Sequence, residues 1–287
     1  MASRHCGFFL KIPLPFACRL LQVPPMSPTW HRLFPAADFR LPIGLRSGTA
    51  TEFWSRWDPT GAVLAERRRW LMSHPEHFGA CLPEGELAQR EALEYIQASA
   101  GAEDSESDWV LLSGDRDREP TVLAGQVVFP SQWSLPEKLG LPISAVHAPV
   151  PGLQEAIGPS IATILARLQV GSGWIRENWG FSASAELNYH PARNLPQLTA
   201  GAGLETTWIR LETQFLTRLP QTQGILFGIR VHPYRLDEVA AIPAIGARIA
   251  HALRTMPEAM VAYKGLSAVR PTLIKLLSQL PEQAAAE

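Results

Sequence analysis

The chain has 287 residues, 46 % of them hydrophobic and 18 % charged, with a formal net charge of -1. That balance belongs to a globular protein with a sizeable core, not a disordered one, and it offers no basic excess for a nucleic-acid backbone or an anionic membrane. The three cysteines, Cys6, Cys18 and Cys81, form no C-x-x-C pair, which argues against a disulfide framework and a cysteine-built zinc site.

Residues 1–27 read as an extension whose apolar stretch is interrupted by Lys11, Pro13, Pro15 and Arg19. It is too broken to span a bilayer. A start at Met26 and a weak organelle-targeting role are the two alternatives for it, with the cytoplasm as the expected compartment. Residues 28–107 read as a helical region. Val63–Met72 forms one helix, with Arg67, Arg68 and Arg69 on a solvated face, and Glu84–Ala98 a second, with Leu87, Leu93 and Ile96 as its apolar stripe.

From residue 108 to the end the pattern is that of a core with C-terminal helices. Trp109–Leu112 and Thr121–Phe129 read as a hairpin around the charged turn 114–120. An amphipathic turn at Ser134–Gly140 and a helix at Leu153–Leu168 follow. Further strands are expected at Trp174–Phe181, Thr206–Gln214 and Gly224–Val231, then helices at Leu236–Leu253, Pro257–Lys264 and Pro271–Leu280. The expected fold is α+β: a PAS-like antiparallel sheet of about five strands flanked by helices, with helical additions at both ends.

Two stretches carry most of the chemistry. In the first, Gly140 and Pro142 turn the backbone before His147, and Pro149 and Pro151 prevent a long helix after it. An imidazole held this way between Val146 and Ala148 suits an axial iron ligand; a core histidine bonded to backbone is the competing reading. His190 and His232 are reserves, and His5, His31, His74, His77 and His251 have no such context. In the second stretch, strand alternation places Arg210, Glu212 and Gln214 on one face and Leu211 and Thr213 on the other. Glu212 could hold an alkylammonium or accept a proton, or be a structural partner of Arg210 or Arg218. Lys138, Arg176, Arg210, Arg218 and Arg230 are the cations available to neutralise haem propionates. No phosphate loop, dinucleotide fingerprint, H-E-x-x-H or G-x-S-x-G is present.

The ordered strings W-S-L-P-E-K-L-G-L-P-I (133–143), V-H-A-P-V-P (146–151), R-E-N-W (176–179), R-L-E-T-Q-F-L-T-R-L-P (210–220), F-G-I-R (227–230) and A-Y-K-G (262–265) together resemble the haem-dependent oxidative N-demethylase alpha-subunit family. The resemblance implies haem b and dioxygen used to remove a methyl group from a small secondary amine such as dimethylamine, releasing formaldehyde. It further implies a separate reductase partner carrying FMN, [2Fe-2S] and NADPH, and tetrahydrofolate to capture the formaldehyde. On this resemblance His147 is the axial ligand and Glu212 the amine-binding carboxylate. One position departs from the family: the arginine that follows this glutamate is Thr213 here, which removes a cation from the expected set. A haem-binding sensor or carrier without turnover is the alternative function, and an interaction module without haem the third.

Overall fold

The computed structural model describes residues 28–101 and 104–280, so the expectations for residues 1–27 lie outside the described residues. The first part of the chain contributes α1 (Trp30–Leu33), β1 (Arg46–Ser47), α2 (Ala50–Trp54), α3 (Ala62–Ser73), α4 (Pro75–Phe78), β2 (Gly79–Cys81) and α5 (Glu86–Ala100). Next come β3 (Asp108–Leu112), β4 (Val122–Gln126), α6 (Ile143–His147), α7 (Leu153–Arg167), β5 (Gly173–Ser182), β6 (Trp208–Arg218) and β7 (Ile225–Arg235). The chain then runs through α8 (Leu236–Ala240), α9 (Ile245–Thr255), α10 (Glu258–Tyr263) and α11 (Arg270–Ser278).

The strands form one antiparallel sheet of seven in the order β1-β5-β6-β7-β3-β4-β2. The five longer strands are the expected ones. The two extra strands, of two and three residues, lie at the edges, too short to show any alternation in sequence. β4 stops at Gln126 because the amides of Val128 and Phe129 turn to the Asp108 carboxylate, at 2.8 Å each. The single helix expected over 236–253 is two. Pro243 cannot continue a helix, and Ala244 takes a left-handed φ of 62° between α8 and α9.

One sheet face packs on α6 and α7, with Leu216, Ile225 and Ile229 meeting Leu165, Leu168 and the half-buried Ile143, Val146 and Ile161. On the other face Phe215, Leu226 and Trp109 meet Phe53 and Trp54 of α2 and Ala92 and Ile96 of α5. Near the far ends of β5 and β6, Trp179, Phe181 and Ile209 join the C-terminal helices through Leu236, Ile249, Leu253 and Leu273. Burial at this scale supplies the main folding force, at about 25 cal/mol per Å² of apolar surface.

Two helix faces differ from expectation. In α5 the buried residues are Ala88, Glu91, Ala92 and Ile96, while Leu87 is 70 % exposed; small side chains let this helix approach the sheet closely. Of the arginine triplet in α3 only Arg68 and Arg69 are solvated. Arg67 is buried and pairs with the buried Asp108, and its second nitrogen donates to Gln126 Oε1 at 2.9 Å. Arg67→Met is expected to strand that carboxylate and lower stability by about 3–5 kcal/mol. Arg68→Met, which breaks an exposed pair with Asp104, should cost under about 1 kcal/mol. Urea midpoints of the two variants check this.

Candidate functional site

His147 is the last residue of α6, a five-residue helix bounded before by Pro142 and after by Pro149 and Pro151. The turn beyond it closes with the Val150 amide donating to the His147 carbonyl at 2.9 Å, and Gly152, at φ 70°, redirects the chain into α7. Among the described residues the His147 imidazole has no hydrogen-bond partner. Burial, reinforced by the positive charge of Arg176, holds its pKa below the usual histidine value. The neutral ring therefore keeps a lone pair available to a metal. Beside it lies a cavity of about 410 Å³ with Ile143, Ile161, Ala162 and Leu165 on one wall and the charged turn 115–119 with Arg218 on the other.

Glu212 lies on β6, opposite Asn178 of β5 and Val231 of β7. The expected alternation holds. Arg210, Glu212, Gln214, Leu216 and Arg218 face the α6–α7 side, as shown by Leu216 in that cluster and by Arg218 reaching the carbonyls of Leu165 and Leu168 at 2.9 Å. Glu212 Oε2 accepts from Gln214 Nε2 at 3.0 Å and Asn178 Nδ2 at 3.4 Å. No cation stands within 4.0 Å of the carboxylate among the described residues, which sets aside a direct structural pair with Arg210 or Arg218.

The cations stand farther off. Arg176 donates to the Pro42 carbonyl at 3.3 Å, and its Nε is buried without a partner. Burial lowers its pKa, opposed by the charge of Glu212. Lys264, just after α10, donates to the Trp179 carbonyl at 2.7 Å and lies 4.8 Å over that indole. Desolvation depresses its pKa to about 8, again opposed by Glu212. Burial and the Glu212 charge both raise the pKa of neighbouring Tyr263. The Arg176 charge thus bears on His147, and the Glu212 charge on Arg176.

A family model described as haem-dependent oxidative N-demethylase, alpha subunit-like, matches residues 97–274. The chain belongs to this family. It therefore falls among haem-dependent oxidative proteins, and its residues can be tested for fit to the haem. Two of them suit it by their chemistry: among the described residues His147 is a neutral imidazole without a protein partner, and Arg176 Nε is buried without an acceptor, although the cavity beside His147 is lined by neither Arg176 nor Glu212.

The expected convergence of cations on propionates is only partly present. Arg176 remains available. Arg210 is buried and donates to the carbonyls of Glu186, Leu187 and Pro130, with Ser131 Oγ at 3.4 Å. Arg218 binds the carbonyls of Leu168, Leu165, Gly114 and Gln223. Arg230 projects from the opposite face, where Glu106 and the carbonyls of Phe53 and Ser55 hold it and Trp57 stacks on it at 4.2 Å. These three are structural clamps. Strand alternation identified their residues but could not reveal the carbonyls that loops bring to them. Lys138 ends a short 3-10 turn at 136–138, and its ammonium has no ion pair or hydrogen bond among the described residues.

Thr213 faces away from Glu212, paired with Glu177 on β5 and Arg230 on β7. Its departure from the family pattern thus removes no cation from the Glu212 face. Of the reserve histidines, His190 accepts from the Ala192 amide through Nδ1, while His232 borders a pocket of about 30 Å³ with Arg230 and Asp58, where burial lowers its pKa to about 4. Sequence reasoning gave no role to Asn178, Tyr263 or Lys264. The strings R-E-N-W and A-Y-K-G were their only signal.

Proposed function

We propose that this chain is the catalytic subunit of a haem b-dependent oxidative N-demethylase acting on a small secondary amine of the dimethylamine kind. The observation that carries the reading is the family match over residues 97–274, taken with a neutral His147 imidazole without a protein partner and a Glu212 carboxylate held by amides and, among the described residues, by no cation. His147 would ligate the iron and Arg176 would meet a propionate through its unpartnered Nε. Bound haem would supply the site at which dioxygen is activated with electrons delivered from outside.

The chain's own residues hold and aim the amine. Glu212 Oε2 is fixed by two amides, leaving Oε1 to accept from a substrate ammonium and hold its methyl group close to the oxidising centre. Gln214 and Asn178 keep the carboxylate in place. The absence of a nucleotide fingerprint in the sequence supports a separate reductase carrying FMN, [2Fe-2S] and NADPH, with tetrahydrofolate as a formaldehyde acceptor. The five long strands, in the spatial order third-fourth-fifth-first-second with helices inserted after the second, support a PAS-like core.

Haem-loaded protein supplied with dimethylamine, dioxygen and a reductase is expected to release one formaldehyde per amine consumed. An amine-dependent shift in the haem spectrum without formaldehyde would replace the enzyme with a sensor or carrier.

A further inference from the structure

At the opposite edge of the sheet, outside the region matched by the family, the end of α3 and the start of α4 bring together His74, Glu76 and His77. We propose that these three residues form a surface site for a divalent first-row transition metal ion.

Glu76 Oε1 lies 3.7 Å from His74 Nδ1 and 3.6 Å from His77 Nε2, and one ligand atom from each residue lies within 4.8 Å of the others. Donors at zinc-like bond lengths in a tetrahedral site stand roughly 3.3 Å apart, so Glu76 needs only a few tenths of an ångström, while the two imidazole donors, within 4.8 Å of one another, close on the ion by rotation of the His74 ring. The backbone is already set. The His74 amide donates to the Trp70 carbonyl at 3.0 Å, Pro75 opens α4, and the His77 amide returns to the His74 carbonyl at 3.1 Å.

His77 is clamped by stacking on the buried ring of His190, with centroids 5.0 Å apart and planes 10° apart. His74 lies nearly parallel to His77 at 16°, so its ring must turn to share an ion, and its 51 % side-chain exposure permits that. His190 supports the site without completing it. Its Nδ1 accepts from the Ala192 amide, so the neutral ring carries its proton on Nε2, which has no partner. No lysine or arginine pairs with Glu76 among the described residues.

Two imidazoles and one carboxylate suit Fe(II), Co(II), Ni(II) or Zn(II) and leave coordination positions open to solvent. The ion would tie the end of α3 to the helix leading into the outermost strand.

The test is titration of the full chain, haem-loaded and freed of metal by chelator, with Co(II) by absorbance and Zn(II) by calorimetry. One Co(II) per chain with d–d bands is expected, displaced by Zn(II), with an unchanged haem spectrum. Glu76→Gln, at a side chain 64 % exposed, should weaken binding at least tenfold without disturbing the His77–His190 stack, and His77→Ala should weaken it at least as much while removing that stack. Zn(II) should raise the thermal midpoint of the wild type and not of Glu76→Gln. Undiminished binding in Glu76→Gln, or no binding by the wild type, overturns the site.

Discussion

His147→Ala is expected to yield a folded protein that purifies without a Soret band. The imidazole has no hydrogen-bond partner among the described residues and lies beside a cavity, so its removal breaks no internal network. The folding cost should stay at the low end of the range for point substitutions, about 0.5–1 kcal/mol. Haem retention, by contrast, loses its strongest protein bond. Free imidazole should restore part of the absorbance by occupying the vacated volume. His190→Ala should keep the band, because that ring is tied to the Ala192 amide and stacked on His77. An undiminished Soret band in His147→Ala would move the ligand elsewhere and leave the proposed geometry without its anchor.

Glu212→Gln should retain haem and lose amine turnover. A hydrogen bond to a charged group contributes roughly 1.5–3 kcal/mol, so kcat/KM for a dialkylammonium should fall about 10- to 100-fold at the usual tenfold per 1.4 kcal/mol. Lys264 adds a pH signature. Its ammonium repels a second cation near Glu212 until it deprotonates at about 8, whereas a free aliphatic ammonium stays charged to about 10.4. KM should therefore fall between pH 7 and 9 in the wild type and stay flat in Lys264→Met. Stability follows the same proton. Above pH 8 the folded lysine has lost a proton that the unfolded one keeps to its ordinary value, so the unfolded state binds more protons and stability rises with pH across that window. A KM profile equally steep in Lys264→Met would detach Lys264 from the amine site.

Period and turn chemistry made much of this protein readable. The five long strands follow from alternating apolar runs, and the stiff setting of His147 follows from Pro142, Pro149 and Pro151. The face shared by Arg210, Glu212 and Gln214 follows from the two-residue repeat of a strand. Arg67 shows where that reasoning ends. In sequence it belongs to a basic triplet on a helix, yet its partner Asp108 is 41 residues away and buried beneath it. Arg218 illustrates the same limit, since four backbone carbonyls from three segments take the donors that a propionate would need.

Sequence by itself determined which residues could do chemistry and which faces they share, because side-chain direction is a local property of a strand or a turn. Only the tertiary structure decided which of those groups are already occupied. Arg210, Arg218 and Arg230 are bound internally, while the His147 ring, Arg176 Nε and Glu212 Oε1 have no protein partner among the described residues. The physical reason is that a buried polar group takes the acceptor that packing brings to it, and most of those acceptors are distant in the chain.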